Sequence, residues 1–153
     1  NGEKVQLDLT REDANFGYPI ERIKNPVKIT IQIDSYNAKI NDSEVKLDSI
    51  AYIDHNSNRT MLPVRFVSEG FGCLVFWDEA SKSVTILDGY KNINIAVGEN
   101  YMSVNNKITS IDQPAVIVNG RTYLPLRALA EALGKNITYD ERGFVEIFDQ
   151  HYN

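Results

Sequence analysis

The chain has 153 residues and a mass of 17.3 kDa, with 42% hydrophobic, 24% charged and 10% aromatic residues, the composition of a folded globular protein rather than a disordered one. Sixteen Lys and Arg against twenty-one Asp and Glu leave a formal charge of −5, without the basic footprint of a nucleic-acid binder. No apolar run reaches the roughly 18–20 residues of a membrane helix, and the single cysteine, Cys73, excludes an intrachain disulfide or a Cys-based zinc cluster.

In chain order, a leader of residues 1–26 comes first. Starting at Asn1 with no charged-then-apolar segment after it, the chain reads as a mature or excised piece. Alternation at Val5, Leu7 and Leu9 predicts an extra strand, and Pro19 and Pro26 bracket an irregular or briefly helical Ile20–Asn25.

Alternating Val27, Ile29, Ile31 and Ile33 then predict a half-buried strand, followed by a turn at Asn41-Asp42, whose short polar side chains tolerate left-handed backbone. Short strands are expected at Val45–Leu47, Ala51–Ile53 and Arg59–Leu62, the last running directly into a helix. Pro63 suits the first helical turn, where the missing N–H has no intrahelical partner. Val64, Val67 and Phe71 form the apolar stripe, Ser68 and Gly70 let the helix sit close, and Gly72 ends it. A hairpin of Val75–Trp77 and Val84–Leu87 returns the chain.

After the short junction Leu87–Lys91 the pattern recurs. Ile93, Ile95 and Val97 alternate, Asn105-Asn106 turn, and Val116–Val118 and Arg121–Leu124 read as strands. Pro125 opens a helix striped by Leu126, Leu129, Ala130 and Leu133, and Gly134 closes it. Ile137–Tyr139, a turn at Glu141–Gly143 and Phe144–Phe148 make the second hairpin. The self-match is strongest between residues 59–72 and 121–134, where seven of fourteen positions are identical: Arg, Thr, Leu, Pro, Arg, Glu and Gly. Average composition gives about one by chance.

These features predict an α+β fold of two repeated units, each a small antiparallel sheet packed on one short helix, the units packed together. Their bounds are 27–90 and 91–153 behind the leader. A sixty-residue unit buries only roughly 60% of its unfolded surface, so the copies are expected to pack on each other or share strands.

The signature Arg-Thr-x-Leu-Pro-Leu-Arg-x-x-x-Glu-x-x-Gly, with an aromatic-Asp pair and a Val-x-Ile strand after it, resembles the copper amine oxidase N-terminal-like domain. This "stalk" module occurs, often in tandem, in secreted and surface proteins of Gram-positive bacteria. The resemblance covers residues 27–149 in two copies and implies an extracellular or cell-surface location. It does not imply the oxidase chemistry. That reaction needs three copper-binding histidines and a tyrosine matured to a quinone in an Asn-Tyr-Asp/Glu setting. Here there are two histidines, His55 and His151, in loop or tail positions, and Tyr139 lies in Ile-Thr-Tyr-Asp, paired by the repeat with Trp77 as an aromatic packing position.

The remaining polar signals read as scaffold. Arg65 with Glu69, and Arg127 with Glu131, are spaced for surface ion pairs or for bracing the adjacent hairpins through Asp78 and Asp140. Asp78-Glu79 and Asp140-Glu141 fall at hairpin turns, and no nucleophile, base and oxyanion donor assemble. Cys73 among Phe71, Leu74 and Phe76 reads as a small buried hydrophobe. No catalytic residue, metal or cofactor is expected. Tyr36, Tyr90, Tyr101 and Tyr123 have no tyrosine at the matching position of the other copy, so they are the candidate ligand-binding residues. The expected role is a non-catalytic structural or docking module whose partners are neighbouring domains of the parent protein, with no nucleic acid and no membrane insertion. The alternative is a carbohydrate-binding module for cell-wall or plant polysaccharide, and a third reading is an accessory fragment of a hydrolase whose active site lies elsewhere.

Overall fold

The computed structural model describes residues 25–152. The strand expected at Val5–Leu9 and the segment Ile20–Lys24 lie outside them. Strands β1 (Lys28–Gln32), β2 (Asn37–Ile40), β3 (Ser43–Lys46), β4 (Tyr52–Asp54) and β5 (Arg59–Pro63) lead into helix α1 (Val64–Gly70) and the hairpin β6 (Leu74–Asp78) and β7 (Ser83–Asp88). The second copy runs β8 (Lys91–Ala96), β9 (Tyr101–Val104), β10 (Lys107–Ser110), β11 (Val116–Val118) and β12 (Arg121–Pro125). Helix α2 (Leu126–Leu133) and the hairpin β13 (Asn136–Tyr139) and β14 (Phe144–Phe148) complete it. The α+β class holds. Strands β2, β9 and β10 were not foreseen, because they are short and polar: Ala38 is the buried residue of β2, Met102 that of β9, and β10 is exposed throughout.

The strands do not form one sheet per repeat. A five-stranded sheet, the β1 sheet, has the order β13-β14-β1-β2-β3, and a second, the β8 sheet, has the order β10-β9-β8-β7-β6. Each therefore joins the opening meander of one copy to the closing hairpin of the other. The ladders match position for position: Ile29 opposite Ile147 and Ile31 opposite Val145 in one, Ile93 opposite Ile86 and Ile95 opposite Val84 in the other. A four-stranded sheet, β11-β12-β5-β4, joins the copies at the strands that carry the repeated motif. There β5 and β12 run antiparallel with Leu62 opposite Leu124, Tyr123 opposite Pro63 and Pro125 opposite Met61. Since Leu62 and Leu124 are the same position of the repeat, the ladder has an approximate two-fold axis through that pair.

Local rules place the turns. Asn41 and Asn105 take positive φ of 55° and 52°, and each side-chain Oδ1 accepts a backbone N–H thirteen residues back, from Lys28 at 2.9 Å and Asn92 at 2.8 Å. Gly134 caps α2 at φ 72°, a conformation that costs a side chain with Cβ about 1–2 kcal/mol. The helices pack inward on β5 and β12. At Gly70 an added Cβ would stand 2.6 Å from Ile29 Cδ1, so a side chain there would displace the tip of the buried Ile29 where α1 approaches the β1 sheet. One buried cluster unites Ile29, Ile31, Ile86 and Ile93 of the two larger sheets with Val67 and Leu129 of the helices.

Candidate functional site

The fold turns the repeat into two matched surface grooves. Beside α1 lies a groove of about 530 Å³, bordered by Arg65, Glu69 and Trp77 on one side and by Asp48 and Arg121 on the other. Beside α2 lies one of about 730 Å³, bordered by Arg127, Glu131 and Tyr139 and by Asp112 and Arg59. Every one of these border residues has its counterpart at the equivalent position of the other groove. Their floors are apolar: Pro63, Val64 and Val75 in the first, Pro125, Leu126 and Ile137 in the second.

Each groove takes a wall from both copies. Arg121 of the second copy donates to Asp48 Oδ2 of the first, from Nε at 3.2 Å and Nη2 at 2.9 Å. Arg59 of the first copy donates to Asp112 of the second, from Nε at 3.3 Å and also through Nη2. The Arg59 guanidinium, chiefly by hydrogen bonding, holds the Asp112 carboxyl below the usual carboxylate range. The reading of the sequence missed Asp48 and Asp112. Their signal was present, as Leu47-Asp48-x-x-Ala51 repeated in Ile111-Asp112-x-x-Ala115.

On the helical wall, Arg65 Nη1 donates to Glu69 Oε2 at 3.0 Å and to the Val75 carbonyl of β6 at 3.3 Å. The brace to the hairpin therefore uses a backbone carbonyl and not Asp78, which accepts from Ser81 instead. Asp140 likewise serves its own turn, accepting from the Arg142 and Phe144 amides and the Arg142 guanidinium, which together hold its carboxyl down. Arg127 forms no ion pair with Glu131 among the described residues. Trp77 and Tyr139, expected as packing residues, are 36% and 50% exposed and stand at the groove borders. Trp77 Nε1 donates to Glu79 Oε1 at 2.9 Å, which fixes the indole. Lys82, together with this bond, keeps Glu79 ionised below its ordinary value.

The four tyrosines singled out from the sequence lie in four different places. Tyr36, 57% exposed, is in the β1–β2 turn, and Tyr90, 90% exposed, is in the β7–β8 turn. Tyr101, 40% exposed, begins β9 at the opposite end of the β8 sheet, about 17 Å away along β8 at 3.3 Å per residue. Tyr123 is corrected from a candidate surface ring to a core residue. It is 1% exposed, its hydroxyl donates to the Ile50 carbonyl at 2.7 Å and meets Ser49 Oγ, and its ring packs edge-on to Tyr52. Burial, reinforced by Asp54 and Tyr123, pushes the Tyr52 hydroxyl up.

The outward faces of the two larger sheets differ sharply. Across the β1 sheet the row reads Thr138, Glu146, Thr30, Lys39, Glu44. The equivalent row of the β8 sheet reads Phe76, Thr85, Asn94, Ser103, Ile108. One face is charged; the other carries no charge in that row and exposes Phe76 at 52%, with Leu74 at 60% two residues before it on β6, and Ile108 at 65% on the opposite edge strand β10.

Among the described residues no three His, Cys, Asp or Glu side chains lie together as a metal site, and His55 and His151 are both exposed in turns. A family model described as the copper amine oxidase N-terminal domain matches residues 2–86 and again residues 56–146. The chain belongs to that family, which is a non-catalytic domain present here in tandem. The two matches overlap in residues 56–86, the stretch holding β5, α1 and most of the first hairpin. No curated protein matches the sequence. Among the described residues no helix is long and apolar enough to cross a membrane.

Proposed function

We propose that this chain is a non-catalytic docking module of a secreted or cell-surface protein, in which both repeats act as one body and seat a neighbouring domain of the parent. The observation that carries the docking role is the outward face of the β8 sheet. The fold does not require apolar residues there, since the equivalent positions of the β1 sheet are filled by Thr138 and Glu44 where the β8 sheet has Phe76 and Ile108. Two large exposed apolar side chains together on one strand, Leu74 and Phe76 of β6, are the expected chemistry of a protein contact. Strand β6 is also an edge of that sheet. The location outside the cell is supported by the resemblance to tandem stalk modules of Gram-positive secreted proteins.

Hydrogen exchange of this chain alone, compared with the same residues within the full-length parent, tests the docking role. Slower exchange in the parent at Leu74–Asp78 and at Ile108 is expected. Identical exchange in both would remove the β8 face as the docking surface.

A further inference from the structure

We propose that the two matched grooves are a pair of binding sites for an uncharged polysaccharide, one polymer chain being gripped by both. The inference goes beyond the docking role and does not rest on it, because the grooves flank α1 and α2 while the docking face is the outer side of the β8 sheet. Three observations carry it. First, each groove presents an exposed aromatic ring at its border, Trp77 or Tyr139, beside an apolar floor, and Phe66 adds a second ring to the groove beside α1. A flat ring is the partner for the C–H face of a sugar, which is apolar although its edge is not. Second, each border sets arginine donors against carboxylate acceptors: Arg59 and Arg127 with Asp112 and Glu131 in the groove beside α2. A sugar hydroxyl both donates and accepts, so it uses both kinds of group, whereas an anionic ligand would meet the carboxylates as repulsion. Third, Arg127 and Glu131 repeat Arg65 and Glu69 and are exposed, yet among the described residues they form no ion pair with each other, so the brace seen beside α1 does not account for their identity.

The side chains are also held ready. Asp48 and Asp112 are bonded to an arginine from the other copy, and Trp77 is bonded to Glu79, so little ordering remains for binding. Because the two sites belong to one interlaced body, a polymer held in one raises the effective concentration at the other, which multiplies avidity by about 10²–10⁴ when the geometry permits both contacts.

Trp77 is the only tryptophan of the chain, so its fluorescence reports the α1 groove alone. The experiment measures retention of the chain on washed insoluble cellulose, xylan and chitin, with peptidoglycan, whose stem peptides carry carboxylates, as the charged comparison. Soluble oligosaccharides of the retained polymer are then titrated by calorimetry and by Trp77 emission. Expected are retention on at least one of the three uncharged polymers, two oligosaccharides per chain, and a saturable change in emission that persists in Tyr139→Ala. Trp77→Ala or Tyr139→Ala should each weaken polymer binding by about 10²-fold or more through lost avidity, and the double variant should abolish it. The interchange Trp77→Tyr with Tyr139→Trp should retain binding, which separates a role in stacking from a general disturbance of the hairpins. A wild-type chain that washes off cellulose, xylan and chitin, or is retained on peptidoglycan alone, overturns the proposal, as does a double variant of unchanged melting temperature that binds like wild type. Neither result bears on hydrogen exchange at the β8 face, so the docking role stands or falls separately.

Discussion

Leu62 and Leu124 are partners across the β5–β12 ladder, are both fully buried, and occupy the same position of the repeated motif. The approximate two-fold axis that relates the copies therefore passes between the two leucines, and each supports the core of both. Separate stability for the two halves is not what such an arrangement offers.

Truncation at this pair should be felt across the whole chain. Leu62→Ala or Leu124→Ala is expected to lower the unfolding free energy by about 2–5 kcal/mol, the range for a buried leucine that leaves a cavity. Denaturant unfolding followed by Trp77 fluorescence and by backbone circular dichroism should give a single coincident transition in wild type and both variants. Two separated transitions would show that the copies unfold independently.

The β7–β8 turn offers a second test. Gly89 and Tyr90 form it, and Tyr90 is 90% exposed. Proteolytic cleavage there breaks one covalent link but leaves every sheet holding strands from both fragments. The nicked protein should elute at the size of the intact chain under native conditions and separate only in denaturant. Elution as two small species would contradict the interlaced arrangement.

The Arg59–Asp112 ion pair makes a prediction about pH. Asp112 has a folded-state value below the ordinary carboxylate value near about 3.9. Its contribution is therefore present above that ordinary value and is lost as pH falls through the depressed one. Between about pH 4 and pH 2 the melting temperature of wild type should fall more steeply than that of Asp112→Asn. A slope remains in the variant, because Glu79 and Asp140 are also held low, by Lys82 and Arg142 first of all. Parallel curves in calorimetry would mean that the pair adds nothing to stability. Both partners are exposed, so added salt should shrink the difference.

Removing the hydroxyl of a buried tyrosine should cost more than removing that of an exposed one. Tyr123→Phe leaves the Ile50 carbonyl and the Ser49 hydroxyl without their partner, an expected loss of about 1–3 kcal/mol. Tyr139→Phe, at a surface border, should change stability by no more than about 0.5 kcal/mol. Equal effects in urea unfolding would show that the Tyr123 hydroxyl bond is not a structural one.

Much of this structure was legible in local signals. Pro63 and Pro125 stand directly before the helices, Gly72 and Gly134 take positive φ just after them, and the alternation of Ile29 with Ile31 and Ile93 with Ile95 marks the strands that bury them. Each of these is decided within a few residues. The groove borders were not legible in the same way. Trp77 and Tyr139 look in sequence like any aromatic in a hairpin, and Asp48 and Asp112 like loop acids. Their meaning comes from Arg121 and Arg59, which lie 73 and 53 residues away and in the opposite copy.

By itself the sequence determined the class, the duplication and the elements with a strong apolar pattern, because periodicity, turn chemistry and self-similarity are properties of short stretches; the short polar strands β2, β9 and β10 escaped it. It did not determine which copy's strands would share a sheet. Strands β1 and β8 carry the same inward pattern, and so do β7 and β14, so side-chain burial alone is satisfied equally within a copy or between copies. The two-residue turn at Gly89-Tyr90 folds β8 directly back on β7, and that hairpin leaves β1 to pair with β14 from the far end of the chain. Pairing is a choice between partners of equal local merit, and only the three-dimensional path of the chain makes it.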